Sequence, residues 1–128
     1  MFFTVNRVYV PASAFAYIGI PVRIVLLSQK VSVDEMREKY VEQRLFKAVR
    51  QSGGLALKLI SPGFNGVPDR LLLFMGGKAA FCEVKAPGQK PRPLQVHRMN
   101  QLRKLGFKVF VVDDVNQIGG MIDEIWSA

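Results

Sequence analysis

A chain of 128 residues, 49% of them hydrophobic, is long enough for one compact core, and it carries no internal repeat. Its net charge of +8, with a pI near 10.0, points to a polyanionic partner, and no basic amphipathic helix suggests a membrane surface instead. One cysteine excludes an internal disulfide and suits a reducing, cytoplasmic compartment, and one histidine leaves no partners for a His-rich zinc site.

Residues 1–31 read as an extension. Val8 to Leu27 is apolar but is interrupted by Pro11, Pro21 and Arg23, too often for a membrane span of about 20 residues. A leader with Ala12-Ser13-Ala14 as a cleavage-like site, an added strand or hairpin, and a non-native start ahead of Met36 are the readings left open. Residues 32–128 read as one domain. Ser32 and Glu35 form a capping box that predicts a helix opening there, with Met36, Tyr40, Val41, Leu45, Phe46 and Val49 at helical spacing and Gly53-Gly54 as the stop. Leu55 to Ile60 is a short strand, and Ser61 to Gly66 a loop by composition. Arg70–Met75 and Lys78–Lys85 flank Gly76-Gly77 as a hairpin. Ala86–Pro93 is a Pro-rich loop carrying Lys90 and Arg92. A helix from about Leu94 to Leu105, a strand from Phe107 to Val112 and a last helix capped by Asp113 or Asp114 follow. The order α-β-β-β-α-β-α predicts an α/β fold, a central mixed sheet with helices on its faces.

The chemistry concentrates in Gly66-Val67-Pro68-Asp69 and, fourteen positions on from Asp69, Glu83-Val84-Lys85. Two carboxylates suit a hard divalent cation, and a lysine beside them can orient or help deprotonate a bound water. Such a pattern arises by chance in roughly 1% of chains of this size, so its setting decides. Asp69 follows Pro68, which biases Val67 toward extended backbone. Glu83 lies in the apolar run Ala79-Ala80-Phe81-Cys82, where a carboxylate must be paired or metal-bound. Lys85 shares its face; a salt bridge between the two is the plain alternative. Gln95 lies on one helical face with Met99 and Leu102, so its amide points inward and needs partners. Glu42 borders the apolar stripe of the first helix, and periodicity alone reads it as a solvated glutamate. Cys82 reads as a small buried residue rather than a reactive thiol. A two-residue turn at Gly76-Gly77 would put Asp69 and Glu83 on opposite sheet faces. A shared ion therefore requires an odd-length loop, a bulge, or Asp69 just outside the ladder.

Together, Glu42, Gly66-Val67-Pro68-Asp69, Glu83-Val84-Lys85 and Gln95 resemble the VRR-Nuc nucleases, a branch of the PD-(D/E)xK, restriction-endonuclease-like superfamily. The resemblance spans about Met36 to Val112. It implies a restriction-endonuclease-like core and a Mg2+- or Mn2+-dependent DNA endonuclease with Glu42, Asp69, Glu83, Lys85 and Gln95 as its catalytic set. Asp69, Glu83 and the Val84 carbonyl would hold the metal, with Glu42 binding directly or through water. Lys85 would position the water, and Gln95 would orient Lys85 or that water. Lys58, Lys90, Arg92 and Arg98 are the expected phosphate contacts. The resemblance further implies branched DNA as substrate, a homodimer, and a bacterial or phage-like setting. A non-catalytic nucleic-acid-binding module of the same fold and a sequence-specific restriction-type enzyme are the alternatives.

Overall fold

The computed structural model describes the backbone of residues 2–5, 8–11 and 22–128 and the side chains from Val33 onward. The cleavage-like Ala12-Ser13-Ala14 and Pro21 lie outside the described residues. Residues 1–36 and 37–128 form two compact units. In the first, β1 (Phe2–Val5) pairs antiparallel with β2 (Val8–Pro11).

Helix α1 runs from Val22 to Gln51, so the expected capping box at Ser32 and Glu35 is not a helix start. No proline or glycine interrupts the thirty residues of α1, and a helix already propagating passes through a serine at a cost of only a few tenths of a kcal/mol, or about half. Its end falls as expected: Gly54 N donates to Val49 O and Gly53 N to Arg50 O, closing the last carbonyls. Of the expected apolar stripe, Val41, Leu45 and Val49 are buried, whereas Met36, Tyr40 and Phe46 stay exposed.

After α1 come β3 (Leu55–Lys58), β4 (Arg70–Phe74), β5 (Lys78–Val84), α2 (Pro93–Lys104), β6 (Lys108–Val112) and α3 (Gln117–Trp126). The sheet order is β3-β4-β5-β6, with β3, β4 and β5 antiparallel and β6 parallel to β5. This is the mixed sheet expected from a hairpin followed by a helical crossover. Alternate strand residues face opposite ways. Ala56, Leu72, Phe74, Ala80, Cys82, Val84 and Val112 join Val41, Leu45 and Val49 of α1 and Ile118, Met121, Ile122 and Ile125 of α3 in one core. Full burial of residues such as Leu45, Leu72 and Ile125 contributes roughly 1.5–3 kcal/mol each. The other face turns Glu83 toward α2, whose Gln95 and Met99 are buried. The core thus anchors β4 and β5 from one side and leaves their opposite residues for chemistry.

Candidate active site

Strands β4 and β5 are joined by three residues, Met75-Gly76-Gly77, with both glycines left-handed at φ 79° and 72°. That odd count meets the condition the site requires. It pairs Phe74 with Lys78 and Arg70 with Cys82, so one step further Asp69 lies opposite Glu83. Asp69 stands just before β4, and its carbonyl accepts from Leu59 N at 2.8 Å, which ties it to the chain leaving β3. The two carboxylates therefore share a face at the end of a paired strand, behind the buried Pro68.

Main-chain donors hold both groups. Asp69 N donates to Glu83 Oε2 at 3.2 Å, and Val84 N donates to Asp69 Oδ1 at 3.2 Å. Glu83 is 3% exposed. Its Oε1 accepts from Gln95 Nε2 at 2.7 Å and lies 3.2 Å from Lys85 Nζ. Burial, then the neighbouring Glu83 charge, pushes the Asp69 carboxyl up to about 6, against the lowering effect of its backbone hydrogen bonds; Glu38 adds to the rise.

Gln95 sits in the first turn of α2, and its Oε1 accepts from Arg92 N at 2.8 Å. That bond closes an orphan donor at the helix start and fixes which way the amide points. Nε2 is thereby aimed at Glu83. Gln95 meets Lys85 only through the oxygen they share, rather than by a direct bond. Lys85 itself is held by its backbone N donating to Val112 O at 2.9 Å, across to β6.

Glu42 stands apart from the acidic pair. Its carboxylate is ion-paired with the Arg70 guanidinium, and among the described residues no three His, Cys, Asp or Glu side chains converge on one point. Arg70 was absent from the sequence expectation. It follows Asp69 directly and so projects to the other face, where α1 lies. There Glu42, Gln43, Phe46 and Arg70 line a cleft of about 220 Å³. Alternation along β4 is the signal that could have found it: an arginine on the core-facing side of a strand needs a carboxylate from the covering helix. Cys82, on the same face, is fully buried, and burial pushes its thiol up to about 12, the behaviour of an inert core residue.

Of the expected phosphate contacts, Lys58, at the end of β3, and Lys90 and Arg92, in the loop after Lys85, are exposed. Arg98 is already committed. Its Nε donates to Asn65 O at 2.9 Å, its NH1 to Gln101 Oε1 at 3.0 Å, and its guanidinium lies 3.8 Å from the Phe64 ring centroid.

The donor set fits a hard divalent cation: two carboxylates on one face, each held by a main-chain donor, with Asp69 Oδ2 accepting no hydrogen bond from the described residues. No family model matches the chain. Over 78 residues, 61% of its length, the chain is 47% identical to "Putative nuclease p44" of Acyrthosiphon pisum secondary endosymbiont phage 1, and it covers 84% of that protein. A solved structure described as a VRR_NUC domain aligns with a TM-score of 0.64 and 33% identity, over 68% of this chain and 95% of the other. With the mixed sheet, the opposed Asp69 and Glu83 and these two likenesses in hand, the chain belongs to the VRR-Nuc family of nucleases.

Proposed function

We propose that this nuclease is a Mg2+- or Mn2+-dependent endonuclease that hydrolyses phosphodiester bonds in DNA, favours branched substrates and works as a homodimer. The observation that carries the reading is the same-face placement of Asp69 and Glu83 with Lys85 against Glu83. Asp69 and Glu83 would hold the ion beside the Val84 main chain, and Glu42, engaged by Arg70, would reach it only through water. When bound, such an ion makes a water nucleophilic near neutral pH and offsets charge building on the phosphate.

The remaining work falls to the chain's own groups. Lys85 Nζ orients the attacking water and donates toward the phosphate oxygen that gains charge. Gln95 keeps the buried Glu83 carboxylate from rotating away. The exposed Lys90 and Arg92 extend from the strand that carries Glu83 and Lys85, where they can hold the phosphates of a second duplex arm. A two-fold dimer would present two such sites to two strands. A reducing cytoplasm, bacterial or phage-infected, suits the single buried thiol.

The test is cleavage of linear, flapped and four-way DNA in magnesium, in manganese and in EDTA. Ion-dependent cleavage with branched DNA preferred is expected. Full activity in EDTA would refute metal dependence, and equal rates on linear duplex would refute the selectivity for branches.

A further inference from the structure

The loop that leads into Asp69 carries an aromatic side chain for which neither the core nor the acidic pair has a use. Phe64 is 47% exposed, and a lone exposed ring is ordinary on a protein surface. Its mounting is not ordinary. The Arg98 guanidinium is anchored by the Asn65 carbonyl and Gln101, and its centre stands over the Phe64 ring, 3.8 Å from the centroid. The loop is drawn tightly onto α2 at this point. Gly66 has φ +86°, and a Cβ there would stand 2.7 Å from Leu94 Cγ and 3.3 Å from Arg98 Cγ, so only glycine lets the backbone approach so closely. Phe64 N donates to Ser61 O at 3.2 Å, closing the turn that displays the ring.

The placement relative to the acids comes from α2. Gln95, which bonds Glu83, and Arg98, which backs Phe64, are three residues apart on one helical face. Phe64 stands five positions before Asp69 in the loop that enters β4, so the group of a bound strand that it would meet is a base neighbouring the phosphate at Asp69 and Glu83. In a continuous duplex that base is paired and its faces are covered; at a flap, a gap or a branch it is free to stack.

We propose that Phe64, backed by Arg98, is a stacking platform for one unpaired nucleobase next to the scissile phosphate. It would supply part of the preference for branched DNA. The inference rests on the nuclease reading, and its test separates the two. The full chain in EDTA is titrated by fluorescence anisotropy against a labelled thymidine oligonucleotide, a blunt duplex, and a flapped duplex with or without an abasic site at the branch. Phe64→Leu keeps the apolar contact with Arg98 and removes the ring. It should weaken single-strand and flap binding about 5- to 100-fold, the range for losing one base–aromatic stack. The loss on blunt duplex should be several-fold smaller, and the abasic flap should bind both proteins alike. Phe64→Trp should restore affinity, and its added indole emission should be quenched by the oligonucleotide; this reading stands even where Phe64→Leu lowers stability. Equal losses on flap, abasic flap and blunt duplex, or an unquenched indole, would overturn the platform. Cleavage by the parent protein in magnesium is scored separately, so its absence would count against the nuclease reading and leave the stacking measurement intact.

Discussion

The burial of Asp69 beside the Glu83 charge makes a prediction that needs no substrate. In the metal-free protein the Asp69 carboxyl is held at about 6, against an ordinary 3.8, by burial first and the Glu83 charge second. The folded state therefore binds this proton more tightly than the unfolded chain. Below about pH 4 both states are protonated and nothing is lost; as pH rises from about 4 to about 6 stability falls, and above that the full cost persists. A shift of about two units corresponds to roughly 3 kcal/mol, but Asp69 is only half-buried and solvent screening reduces this to about 1–2 kcal/mol. Asp69→Asn keeps the acceptor for Val84 N and removes the charge. In EDTA at pH 7 it should melt several degrees above the parent, as expected for a change of about 1–2 kcal/mol in a domain of this size. The difference should vanish near pH 4. Adding magnesium or manganese should raise the melting temperature of the parent and not that of the variant, narrowing or reversing the order. Melting by circular dichroism at pH 4 and pH 7, with and without the ion, makes the comparison. An Asp69→Asn protein less stable than its parent at pH 7 in EDTA would refute the argument that burial and the Glu83 charge together oppose ionisation of Asp69.

Glu83→Gln should lower cleavage by roughly a hundredfold or more while leaving DNA binding intact, since negative charge near phosphate is removed; gel-shift and cleavage assays read the two separately. Lys85→Ala should cut turnover and leave ion binding by calorimetry largely unchanged, and loss of ion binding would make Lys85 a structural support of Glu83. Gln95→Ala removes both the cap on Arg92 N and a donor to buried Glu83, so a stability loss of about 1–3 kcal/mol in urea melts is expected together with reduced activity. Glu42→Gln should cost about 1–2 kcal/mol by leaving Arg70 without its carboxylate, with a smaller effect on cleavage than Asp69→Asn.

Much of this molecule is local, and what is local was legible in the sequence. The stop at Gly53-Gly54, the hairpin at Gly76-Gly77 and the order of helices and strands depend on neighbours a few residues apart, where turn chemistry and periodicity act. The spacing of Pro68-Asp69 and Glu83-Val84-Lys85 picked out the acidic pair, and their resemblance, together with Glu42, Gly66 and Gln95, to the VRR-Nuc nucleases pointed to the family. The inward face of α2 was legible too, because Gln95 and Met99 follow helical spacing and are buried.

The rest depended on contacts between residues far apart in the chain. Whether Asp69 and Glu83 share a face turned on one residue in the β4–β5 loop, since a strand changes face at every position; only the assembled sheet shows the three-residue turn that aligns them. The capping box at Ser32 failed because capping is a competition: a helix that has already begun at Val22 needs no new start there. Glu42 is expected at the site from the family resemblance, yet its immediate partner is Arg70, which it meets because β4 packs beneath α1. Arg98 is expected from the sequence as a phosphate contact, whereas the loop before Asp69 folds back onto α2 and occupies it with Phe64 and the Asn65 carbonyl. Residue types and spacing determined which chemistry the chain can perform; the packing of strands and helices decided which side chains meet, because burial and register are properties of the whole sheet.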